Sequence, residues 1–135
     1  EAAEGADVVL VEGQGSMVHP SYSGVTLGLL HGSMPHAQIM CGQPSRTHVT
    51  GVSWMKIPPL SEMIHLYEIL AAPLRPAPMI AVALNTFDLS DADARAAIKS
   101  AENETGLPTT DPVRYHAQPI ADAIADFHRK RIGNL

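Results

Sequence analysis

The chain has 135 residues, enough for one domain with a core but short of the roughly 200 that many complete nucleotide-binding folds occupy. Apolar residues make up 45% and charged residues 17%, which rules out a disordered composition, and no apolar run approaches the roughly 20 residues of a membrane helix. Nine Lys and Arg against fourteen Asp and Glu give a net charge of -5, with only Arg129-Lys130-Arg131 clustered, so the concentrated positive surface of a nucleic-acid groove is excluded.

Taken in chain order, Glu1-Ala2-Ala3-Glu4-Gly5 lacks an initiator Met and reads as the last turn of a helix with its glycine stop, the start expected of a fragment. Asp7 to Glu12 is a continuous β-branched run that predicts a strand over 8–12, buried on both faces as in a parallel sheet. Gly24 to Gly32, with Val25, Leu27, Leu29 and Leu30, is compatible with a short helix. A second strand is expected over 37–41, where the single cysteine, Cys41, has no internal disulfide partner and points to a reducing, cytoplasmic compartment. Leu60, Ile64, Tyr67 and Leu70 at helical spacing, between Pro58-Pro59 and Pro73, predict a helix over 60–71. The third strand is expected over 79–84. Ser90 as cap, an acidic first turn and Gly106 as stop bound a helix over 91–105, and Ile120, Ile124 and Phe127 mark the last over 118–130, its basic trio complementing the helix dipole. Alternating strand and helix predict an α/β fold, a mostly parallel sheet with helices on both faces, with no linker dividing residues 1–135.

A strand that ends in an acid and turns into glycines is where such folds place ligands. Glu12 would project into the crevice, either supporting magnesium as in P-loop proteins or simply capping the next helix, while Gly13 and Gly15 allow a phosphate to approach the backbone of the Gly13-Gln14-Gly15-Ser16 turn. His19, whose ordinary pKa suits proton transfer, and Tyr22 follow directly; His31 and His36 are weaker candidates for the same task. Asn85 ends the third strand, where its amide either reads a base edge or closes the loop to Ser90. Asp111 and Arg114 lie beyond the next helix, as a carboxylate or phosphate clamp or as a surface turn. No pair of histidines has a zinc-site spacing, so no metal site is expected, and the G-x-x-x-x-G-K pattern of a phosphate-binding loop is missing from the chain.

The run Val11 to Ser16, then His19-Pro20, Gly24 to Ser33 and Pro35, continued by Asn85-Thr86, Leu107-Pro108 and Asp111-Pro112, resembles the C-terminal P-loop domain of the DgcN-type proteins, long described as domain of unknown function 1611. The resemblance covers nearly the whole chain. It implies the C-terminal portion of a P-loop NTPase-like domain from a cytoplasmic bacterial enzyme that N-acetylates D-glutamate with acetyl-CoA. In that setting Glu12, His19 and Tyr22 would be catalytic, and Gly13, Gln14, Gly15, Ser16 and Asn85 would hold the acetyl-CoA. Asp111 and Arg114 would bind substrate. The N-terminal Rossmann-like domain and phosphate-binding loop of full-length members have no counterpart in the sequence, so activity of this chain alone is not expected. The strand and its Glu-Gly turn are also similar to dethiobiotin synthetase, which keeps ATP with magnesium as the alternative cofactor and a ligase or NTPase as the alternative activity. A non-catalytic assembly domain is a third reading. Homo-oligomerisation is expected, with a small-molecule substrate and neither nucleic acid nor membrane as partner.

Overall fold

A computed structural model describes residues 4–133. Its elements are α1 (Ser23–Ser33), β1 (Gln38–Gly42), β2 (His48–Val49), β3 (Val52–Lys56), α2 (Leu60–Ala71), β4 (Met79–Leu84), α3 (Asp91–Thr105), β5 (Thr109–Thr110) and α4 (Gln118–Ile132). The strands β1, β4 and β5 form a parallel sheet in that order, and β2 with β3 forms a separate antiparallel hairpin. The reading of Glu1–Gly5 as a helix end lies largely outside the described residues; of it only a turn at Glu4 and Gly5 is described, with Gly5 at φ 83°.

The central strand β4 explains its own position. Met79-Ile80-Ala81-Val82-Ala83-Leu84 has no polar residue on either face, and it is flanked by β1, from Met40↔Val82 to Gly42↔Leu84, and by β5 at Val82↔Thr109. Val82 is fully buried, and the core gathers Met40, Met79, Val82 and Leu84 from the sheet with Met63 of α2 and Ala101 of α3. Ala94, Ile98 and Ala101 recur at i, i+4 and i+7, so α3 lays a narrow stripe of small side chains over the sheet. The last helix, α4, runs against β4 and β5 and contributes no side chain to that cluster.

Two caps set α3. Ser90 Oγ accepts from the Asp93 N–H at 3.1 Å and donates to the Asp93 carboxylate at 2.6 Å, and Gly106 ends the helix at φ 70°, the left-handed region glycine adopts without strain. Arg95 lies over the Tyr115 ring while the Tyr115 hydroxyl donates to Asp91, so the connection from β5 to α4 is held to the first turn of α3.

The strand expected over 8–12 is not formed. Val8 to Val11 is an irregular, exposed segment, with Leu10 75% exposed, although its composition is that of a buried strand. A strand exists only by hydrogen bonding to a neighbour, and among the described residues none pairs with it. The other elements lie within two residues of their expected bounds. The hairpin β2–β3 and the two-residue β5 are additions, too short to show a period in the sequence.

Candidate functional site

Beyond the carboxyl ends of β1 and β4 a cleft of about 840 Å³ opens, bounded by Gly42 and Leu84 at the strand ends and by Leu60 and Met63 of α2. Its further borders are the turn from Gly15 to Tyr22, the loop from Gln43 to Arg46, the hairpin turn around Thr50, and Ala97, Ser100 and Glu104 of α3. Ligands of open parallel sheets bind in this position, because the loops that follow the strands converge there. The volume lies within the several hundred Å³ of small-molecule sites.

The glycine turn reaches the cleft through its second half. Gly15 stands at φ 56°, and a Cβ there would come within 2.5 Å of Tyr22 Cβ, so the close approach of the turn to α1 requires glycine. The Thr26 hydroxyl has both Gln14 O and Tyr22 O within reach of its single proton, which fastens the turn to the first turn of α1. The Tyr67 hydroxyl accepts from the Met17 N–H at 3.2 Å and anchors the other side to α2. Ser16 lines the cleft, with Oγ accepting from the Val18 N–H at 3.3 Å. Glu12, Gly13 and Gln14 are exposed and stand outside the lining of the cleft, and Glu12 does not cap α1, whose start has no side-chain cap.

His19 has both ring nitrogens engaged. Nδ1 accepts from the Ser21 N–H at 3.1 Å, which leaves Nε2 to donate to Thr50 O at 3.1 Å, and the ring packs on Tyr22 at 4.5 Å between centroids. His19 therefore clips the start of α1 to the hairpin turn. Tyr22 lines the cleft, half exposed, and its hydroxyl has no partner among the described residues. His31 bonds to Leu70 O at 2.7 Å and His36 to Arg75, both away from the cleft.

Three cleft residues escaped the sequence reading. Among the described residues Arg46 is the only Lys or Arg lining it, on the loop that leaves β1. That loop is held by a network: Gln43 Nε2 donates to Ser45 Oγ and to Asp88 Oδ2, and Ser45 Oγ donates to Asp88 Oδ2 at 2.6 Å. The Ser45 hydrogen bond holds the Asp88 carboxyl below the usual carboxylate range against a smaller opposing effect of desolvation. Cys41 also lines the cleft, and burial pushes its thiol up, so it stays protonated at neutral pH. Glu104 lies at another border, with Oε1 accepting from the Ser61 N–H and hydroxyl. The signal available in the sequence was positional: Gln43 to Arg46 follows a predicted strand as the Glu12 turn does.

A second hollow of about 220 Å³ lies at the ends of β4 and β5, and it brings Asn85, Asp111 and Arg114 together with the exposed Phe87 and Val113. Asn85 Oδ1 accepts from the Phe87 N–H, closing the strand-end turn. Asp111 is only 2% exposed, and its carboxylate accepts from Thr86 N–H, Thr86 Oγ1, Val113 N–H and Arg114 N–H. Burial by itself raises the Asp111 pKa, but the Thr86 hydroxyl and these backbone donors outweigh it and hold the carboxyl below its usual range. Arg114 Nη1 donates to Thr86 O, Thr86 Oγ1 and Leu89 O, so the guanidinium is fixed to the end of β4 by backbone acceptors rather than by Asp111. Among the described residues no group of three His, Cys, Asp or Glu side chains could hold a metal ion, and no helix is long and apolar enough to cross a membrane.

Residues 1–121 match the family described as a domain of unknown function (DUF1611_C), P-loop domain. The chain is 40% identical over 117 residues to a protein of Tritonibacter scottomollicae named D-glutamate N-acetyltransferase, covering 86% of this chain and 35% of that protein. A protein of the same name from a Pseudoalteromonas species is 34% identical over 106 residues, 78% of this chain and 32% of that one. The crystal structure of a DUF1611 family protein from Anabaena variabilis superposes with a TM-score of 0.81 at 40% identity, over 85% of this chain and 34% of its own. The chain thus spans about a third of the length of each of these relatives.

Proposed function

Because the chain belongs to the DUF1611 P-loop domain family, we propose that it forms part of an N-acetyltransferase that moves the acetyl group of acetyl-CoA to the amino group of D-glutamate, in the cytoplasm. The observation that carries this reading is the 40% identity, over 86% of the chain, to a relative named for that activity. The cleft at the strand ends, with the Gly15-Ser16 turn on its border, is the site we assign to the reaction.

Acetyl-CoA would supply an activated thioester, and the chemistry asked of the protein is modest: the acceptor's ammonium loses one proton to solvent and attacks as the free amine, one C–N bond forms, one C–S bond breaks, and the second N–H proton goes to the departing CoA thiolate. The Gly15 backbone and the Ser16 hydroxyl border the cleft, and we assign them to the polar pantetheine-diphosphate portion. The thiol pKa of Cys41 is raised by burial, which disfavours the thiolate that a covalent acetyl relay would use. We therefore assign direct transfer to the amine. His19 serves to position the turn, since its Nδ1 lone pair is already used by Ser21.

The test is the full-length protein incubated with acetyl-CoA and D-glutamate, following free thiol and N-acetylated product, with and without EDTA. Thiol release that requires D-glutamate and survives EDTA is the expected result. ATP hydrolysis that EDTA abolishes, with no acetyl product, would replace the reading by the magnesium-dependent one.

A further inference from the structure

We propose that Arg46 is the carboxylate-binding and specificity-determining residue for the acyl acceptor, and that Ser45, Gln43 and Asp88 hold its loop in place. The inference rests on the reading above for the acceptor's class, an amino acid with free carboxylates. Among the described residues Arg46 is the only Lys or Arg on the border of the cleft. Its guanidinium makes no hydrogen bond or ion pair with any described residue, in contrast to Arg75, Arg95, Arg114 and Arg129, each of which is hydrogen-bonded within the fold. Asp88, the acid joined to its loop, feels the Arg46 charge but takes its hydrogen bonds from Ser45 and Gln43, and Glu104, the only acid lining the cleft among the described residues, forms no ion pair with Arg46. The Arg46 guanidinium thus keeps its N–H donors without a partner among the described residues, beside a cleft of small-molecule size, which suits an anion arriving from solvent.

The loop is built to hold that charge still. Arg46 N donates to Gln43 O at 3.0 Å, closing a turn directly after β1, and the Gln43–Ser45–Asp88 hydrogen bonds fasten the turn to the segment that follows β4. A guanidinium on a fixed turn presents two parallel N–H donors to a carboxylate, which an ammonium cannot do. Arg114, the other arginine at the sheet's carboxyl edge, stands at the separate hollow and spends Nη1 on backbone carbonyls.

The experiment measures steady-state constants and direct D-glutamate binding by calorimetry in the full-length protein, for the wild type, Arg46→Gln, Arg46→Lys and Ser45→Ala. Arg46 is exposed, so these substitutions leave the core untouched, and circular dichroism checks that they fold. Loss of a charge-assisted carboxylate bond in Arg46→Gln should raise KM for D-glutamate roughly 10- to 100-fold and leave KM for acetyl-CoA unchanged. Arg46→Lys should recover only part of the loss, and Ser45→Ala should raise the same constant by a smaller factor with kcat preserved. Arg46→Gln with an unchanged KM for D-glutamate in an active enzyme would overturn the inference while leaving the acetyltransferase reading intact. If the wild type proves inactive as an acetyltransferase, the calorimetry still decides: D-glutamate bound by the wild type and lost in Arg46→Gln supports Arg46 as a carboxylate site, and no binding by the wild type overturns both.

Discussion

Asp111 gathers four hydrogen bonds on one buried carboxylate, and three of the donors are backbone N–H groups that no other residue is placed to satisfy. Asp111→Ala leaves those donors unpaired and should cost roughly 2–4 kcal/mol in thermal or denaturant unfolding. Its pKa is lowered in the folded state, so the stabilisation is fully present above the ordinary carboxylate pKa of about 4 and is lost as pH falls through the lower folded value. Stability of the wild type should therefore fall more steeply below about pH 4 than that of Asp111→Asn, an outcome read from melting temperature against pH. The two glycines of the first turn make a sharper pair. Gly15→Ala puts a Cβ against Tyr22 in a left-handed backbone and should cost about 1–2 kcal/mol or more, whereas Gly13→Ala meets nothing within 4 Å and should be close to neutral. Equal melting temperatures for the two variants would refute the packing described at Gly15.

At the scale of elements, α3 combines a strong local signal with a weak packing face. Its buried side is alanine, so the helix depends on its ends more than a leucine-faced helix would. Ser90→Ala removes the acceptor of the Asp93 N–H and should lower stability by about 1 kcal/mol, with Ser90→Asp restoring most of it. Helix α3 was legible for the same reason: cap, acidic first turn and glycine stop are all local. The segment 8–12 shows the opposite case. Its β-branched run specifies a preference for extended backbone, but preference becomes a strand only where a neighbour completes the ladder.

For the molecule as a whole, Val8, Val9, Leu10 and Val11 present contiguous exposed apolar side chains on an unpaired irregular segment, a surface unusual in a monomer. The 135-residue chain on its own should self-associate, visible as a concentration-dependent mass in light scattering, and Leu10→Lys should reduce that association. A monodisperse monomer at high concentration would contradict the expectation. The same scale separates what the sequence determined from what it left open. The α/β class, β4, and the helices α2, α3 and α4 follow from periodicity, composition and caps, all carried within a few neighbouring residues, and the family resemblance follows from the same linear motifs. Asn85 ends the legible strand β4, but Asp111 and Arg114 reach the same hollow through β5, which is too short to read in the sequence. The placement of Arg46 on the same cleft as Gly15 and Tyr22, the clip from His19 to Thr50, and the exposure of residues 8–11 rest on the tertiary structure alone, because the meeting of residues 24 or more apart depends on the strand order and on which strands find partners, and no local pattern records either.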